Sequence, residues 1–100
     1  MLDGITNNSK IYIFCPAGGV TGGPELLHQL ADLLFQLNRE VYIVYYKGNN
    51  IVTSETPEPY KKYKITTTTE LVYSKENVFI VPESSIYLLK QVKAGIRTIW

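Results

Sequence analysis

Residues 11–38 constrain this chain most: an apolar run, IYIFC, passes through a small-residue bend, PAGGVTGG, into a leucine-rich segment, PELLHQLADLLFQLN. A strand that stops at a proline, turns through glycines and opens a helix is the start of a βα unit. Backbone N–H groups at such a helix start can face an anion. Gly18, Gly19, Gly22 and Gly23 are therefore the candidate ligand-binding residues. The bend is not a Walker A loop, since no Lys-Ser/Thr pair follows its glycines, and GGVTGG lacks the spacing of the G-x-G-x-x-G dinucleotide fingerprint.

The run KIYIFC before the bend is nearly continuously apolar and rich in β-branched and aromatic residues, as a strand covered on both faces reads. Pro24 suits the first helical position, with Gly23 as N-cap. Leu26, Leu27, Leu30, Ala31, Leu33, Leu34 and Leu37 make a broad apolar face, with Gln29, Asp32 and Gln36 outside it. Asn38 suits a left-handed helix exit, and EVYIVYY (40–46) follows as a second buried strand. Two strands joined by one helix in so few residues imply a right-handed parallel βαβ connection.

Residues 47–60 contain Gly48, Asn49, Asn50, Pro57 and Pro59 and read as a surface loop. YKITTTT (63–69) reads as a half-exposed edge strand, and NVFIV (77–81) as another buried strand. Residues 85–93 place Ile86, Leu89 and Val92 on a helical pattern that stops at Gly95, with Ser84 as its cap. IRTIW (96–100) is a last strand that runs to the end of the sequence, which suggests the front part of a longer protein.

One hundred residues suit a single small domain, and 45% apolar against 19% charged residues is the balance of a folded chain. A net charge of +1 leaves no broad field for a nucleic-acid backbone, and only KKYK (61–64) is locally basic. Most of the eight tyrosines lie in apolar runs, as core or sheet-face residues. The single Cys15 excludes an internal disulfide or a cysteine metal cluster and reads as an inert buried thiol. Residues 1–9 lack the features of a signal peptide, and no apolar run approaches the ~20 residues of a membrane span, so the cytoplasm is the expected location.

The segment GGVTGGPELLHQLADLLFQLNREVYIVYY resembles the opening of GT-B glycosyltransferases, especially the large retaining group that uses nucleotide sugars. Gly22, Gly23, Pro24 and Glu25 match that family's Gly-Gly-x-Glu step, and 38–41 (Asn, Arg, Glu, Val) stand where it commonly has Gly-His-x-Val. NVFIVPE and RTIW are similar to later strands of the same domain. The resemblance implies a Rossmann-like three-layer α/β/α domain with a mainly parallel sheet of order 3-2-1-4-5, the N-terminal part of a two-domain enzyme. It implies that Gly18, Gly19, Gly22 and Gly23 lie near the donor diphosphate, that Glu83 and Ser84 lie on the side of a glycan or glycolipid acceptor, and that most donor contacts come from a second domain. On that reading the chain alone does not turn over substrate, needs no metal or cofactor, and works in the cytoplasm or at the inner face of the membrane.

Glu25 is expected to order the bend through the helix dipole rather than to catalyse. His28, flanked by Glu25 and Asp32, reads as a surface hydrogen-bonded residue on the helix flank. No catalytic residue is identified. The competing reading is a stand-alone α/β binding or regulatory module that pairs with another copy through its last strand. A flavodoxin-like or dinucleotide-binding protein fits less well, because Tyr45, Tyr46 and Lys47 stand where an acid would end the second strand.

Overall fold

The structure, a computed structural model, describes residues 8–18 and 22–99. Five strands, β1 (Lys10–Pro16), β2 (Glu40–Lys47), β3 (Asn50–Ile51), β4 (Val78–Val81) and β5 (Ile96–Ile99), form one sheet of order β3-β2-β1-β4-β5. β1 pairs in parallel with β2 and β4, and β4 with β5, while β3 folds back antiparallel on β2. The fold is thus α/β with a mostly parallel sheet. β1 is central, as its apolar run requires: Ile11 to Cys15 are all buried.

Alternation along the strands splits the core in two, because successive side chains leave a strand on opposite faces. Ile11, Ile13, Cys15, Val41, Ile43 and Tyr45 pack under the helix α1 (Gly22–Gln36) with its Leu27 and Ala31. Tyr12, Phe14, Val44, Tyr46 and Phe79 pack on the other face with Leu88 and Val92. On that second face the rings of Tyr42, Tyr12 and Phe79 stack across three neighbouring strands, at centroid separations of 5.6 and 5.1 Å. Of the tyrosines of the apolar runs, Tyr12, Tyr45 and Tyr46 are buried core residues and Tyr42 is half-buried on the sheet face, and Tyr60 of the loop is buried as well.

Asn38 leaves α1 with φ 63°, the left-handed exit its short polar side chain tolerates. Buried Asn77 joins three segments: its Oδ1 accepts from Lys10 N at 2.9 Å, its Nδ2 donates to the Val72 carbonyl at 2.8 Å, and its own carbonyl accepts from Ile96 N. The amino ends of β1, β4 and β5 are tied together there.

Five expectations are corrected. The edge strand over 63–69 is absent; only Thr67 bridges to β2, opposite Ile43, and the third strand is instead Asn50–Ile51. Exposed threonines gain little by continuing a strand that has no second face to cover. The last helical segment, Glu83–Gln91, is short 3₁₀ turns broken by a kink at Ser85 (φ -125°, ψ 31°); Ser85 and Leu88 are buried and Ile86 is exposed. Its cap position is Pro82, with no side-chain cap, so Ser84 does not cap it. Gly95 is not its stop: at φ 128° it turns the chain into β5, where a Cβ would lie 2.4 Å from the Phe79 ring.

The fifth correction concerns α1. Its buried side is narrower than its leucine content suggests, for Leu26, Leu33 and Leu37 are 53%, 54% and 60% exposed. These three lie on one side of the helix at 7- and 4-residue spacing, rotated away from Leu27 and Ala31, which face the sheet.

Candidate functional site

The connections of this sheet reverse direction at its centre. From β1 the chain crosses through α1, on one face, to β2; later it returns to the other side of β1 as β4 and leaves through the 3₁₀ run on the opposite face. Connections that diverge from two adjacent parallel strands open a crevice at the strands' carboxyl ends, the usual ligand position in open α/β sheets.

Gly18 follows the carboxyl end of β1 and is exposed, with φ 75° and open space around its α-carbon. Gly22 is the first residue of α1, and Gly23 is exposed in its first turn. The helix thus begins one residue before the expected N-cap, within the ordinary latitude of helix ends. Gly19 lies outside the described residues. Glu83 and Ser84, both exposed, follow the carboxyl end of β4 beside it. The structure therefore brings Gly18, Glu83 and Ser84 to the ends of adjacent strands, with Gly22 and Gly23 at the helix start behind the bend.

Of the polar residues nearby, most are engaged structurally. The Tyr63 hydroxyl donates to the Glu25 carboxylate, and Gln29 Nε2 donates to Tyr63 Oη at 3.2 Å. Lys64 N donates to Asp32 Oδ1 at 3.1 Å. These bonds strap the segment after the second proline of the long loop onto α1. The Tyr46 hydroxyl is hydrogen-bonded to buried Ser85, a pairing the sequence did not disclose. Across that face, the Tyr87 hydroxyl donates to the Gly48 carbonyl at 2.9 Å and Gln91 Nε2 to the Asn49 carbonyl at 3.2 Å.

His28 is the clearest departure from expectation: it is fully buried, not a surface residue on the helix flank. Its Nδ1 is 2.7 Å from the Pro24 carbonyl and its Nε2 2.8 Å from the Tyr45 hydroxyl, while the Tyr60 ring lies 4.4 Å away, centroid to centroid. A carbonyl only accepts, so Nδ1 carries the proton. Burial pushes the His28 pKa below its ordinary value, against the opposing pull of the Pro24 carbonyl and Glu25. In the neutral ring Nε2 accepts, so Tyr45 donates to it. The Thr56 hydroxyl, 3.2 Å from Tyr45 Oη, completes the chain as a donor. All of His28's capacity is spent inside the protein, which removes it as a general base.

Cys15 behaves as expected. It is buried, and burial pushes its thiol up to about 12, so no thiolate forms at neutral pH. Among the described residues no cluster of three His, Cys, Asp or Glu side chains could hold a metal, and no helix is long and apolar enough to cross a membrane. No family model, curated protein or solved structure matches the chain.

Proposed function

We propose that this chain is the acceptor-side, Rossmann-like domain of a GT-B glycosyltransferase that moves a sugar from a nucleotide-sugar donor to a glycan or glycolipid, in the cytoplasm or at the inner face of the membrane. The feature that supports this reading is the reversal point of the sheet, where Gly18 follows the carboxyl end of β1 and Glu83 and Ser84 follow that of β4 beside it. Backbone N–H groups at the start of a helix suit a diphosphate. The exposed Glu83 carboxylate suits the hydroxyls of an acceptor, not the phosphates of a donor. Because His28, Cys15 and Glu25 are occupied by structural work, transfer requires residues of a second domain, and the chain alone is inactive.

The test is an amide-resolved NMR titration of the labelled chain with uridine diphosphate, and separately with neutral oligosaccharides. The nucleotide is expected to shift Gly18, Gly22 and Gly23, and an oligosaccharide to shift Glu83 and Ser84. Silence of the bend at about 10 mM nucleotide, a concentration that reveals even weak millimolar binding, refutes the assignment.

The second reading, a self-associating module without catalysis, is favoured by the outer side of β5, which pairs with no strand among the described residues, and by exposed Leu26, Leu33 and Leu37. Sedimentation across a wide concentration range separates the two, since a module of that kind dimerises and a domain that needs a different partner stays monomeric.

A further inference from the structure

The outer edge of β2 is covered by two segments that arrive from opposite directions. β3 runs down it antiparallel, with Val52 N donating to the Tyr45 carbonyl at 3.0 Å. The threonine segment runs up it in parallel, with Ile43 N donating to the Thr66 carbonyl at 2.8 Å and Thr68 N to the Ile43 carbonyl at 3.2 Å. Continued along the edge, the two would collide beside Tyr45. Both turn away instead, and a groove of about 340 Å³ opens between them, lined by Tyr45, Val52, Thr53, Thr67, Thr69 and Glu70 among others.

The chemistry of this lining is selective. The hydroxyls of Thr53, Thr67 and Thr69 have no protein partner among the described residues, and neither has the exposed Glu70 carboxylate. No lysine or arginine lines the groove, and Glu70 would repel a phosphate. The abundance of hydroxyls argues against an apolar guest. A bare cation needs several oxygens converging at roughly 2.3–2.6 Å, whereas this space is as large as a small-molecule site. What remains is a neutral molecule rich in its own hydroxyls, able to donate to Glu70 and to exchange hydrogen bonds with the threonines.

We infer that the groove between Thr53 and Thr67–Glu70 on the outer edge of β2 binds a neutral polyhydroxylated ligand, a saccharide or polyol, with the Glu70 carboxylate as the principal acceptor. The site contains none of the residues of the glycine bend and does not depend on the function assigned to that bend. Ligand bound here would span both segments that cover the β2 edge.

The test titrates the labelled chain with glucose, galactose, mannose, N-acetylglucosamine, maltose and inositol. Saturable shifts are expected at the amides of residues 53, 54 and 67–70, with dissociation constants in the millimolar range for so open a site. Glu70→Gln should weaken binding about fivefold or more, and Thr67→Val and Thr69→Val about threefold each, as expected for loss of single hydrogen bonds. Unperturbed spectra elsewhere in these variants establish that they remain folded. The inference is overturned if no member of the panel shifts these amides, if Glu70→Gln leaves the affinity unchanged, or if potassium or calcium ions shift them at lower concentration than any saccharide does.

Discussion

Replacing His28 by alanine discriminates sharply between a surface histidine and the buried one observed. The substitution leaves the Pro24 carbonyl without its donor and the Tyr45 hydroxyl without its acceptor, both inside the core. Each unsatisfied group costs about 1–3 kcal/mol. Loss of the ring packed on Tyr60 adds a cavity term, so the total is at least about 3 kcal/mol. Against the ~5–15 kcal/mol that holds a domain folded, this is a large share. With a urea slope of about 2 kcal/mol per molar, the unfolding midpoint followed by far-ultraviolet circular dichroism falls by about 2 M. Tyr45→Phe alone should cost about 1–2 kcal/mol. The double variant should cost less than the sum of the singles by about 1 kcal/mol, since the two residues share one hydrogen bond. A surface histidine would move stability by under about 0.5 kcal/mol. A cost below about 1 kcal/mol for His28→Ala, or strict additivity with Tyr45→Phe, refutes the buried chain from Pro24 to Thr56.

Three further outcomes are expected. The His28 pKa is lowered in the folded state, so the unfolded chain binds the proton more readily; stability is complete above the ordinary histidine value of 6.5 and declines as pH falls below it, by at most about 1.4 kcal/mol per pH unit, and His28→Gln flattens that decline in urea titrations at several pH values. Cys15, its thiol raised to about 12, should resist a thiol-reactive disulfide reagent at pH 8 in the native protein and react at once in urea. Gly95→Ala should cost about 2–4 kcal/mol in thermal or urea unfolding, because φ 128° is strained for any side chain and the added Cβ meets Phe79 and the Asn77 carbonyl, whereas Gly18→Ala, with open space around it, should cost about 1 kcal/mol.

What the sequence disclosed follows from how local its causes were. β1, α1, β2, β4 and β5 stand within two residues of expectation, because each carries a local periodic or apolar pattern bounded by proline, glycine or asparagine. The region between β2 and β4 was misread because its order comes from distant partners: Thr67 is held by Ile43, Tyr63 by Glu25, and Tyr60 by His28. None of those pairs leaves a period in the chain. For His28 the local signal pointed the wrong way, since its carboxylate neighbours at helical spacing imply solvent, while the hydroxyl that buries it comes from Tyr45 on β2. At the candidate site, the placement of Gly18 and Glu83 at adjacent strand ends was legible from strand order and bend. Ser85 was not, because it sits at a kink in the helical segment and is held by the distant Tyr46 hydroxyl, neither of which leaves a local pattern.

The two margins of the sheet differ in kind. On the β2 side, opposed chain directions within one edge deny any incoming strand a single direction to copy, whereas among the described residues no strand pairs with the outer side of β5. If two copies were to join β5 to β5, both of these margins would be consumed, and growth would end at a closed pair rather than a filament.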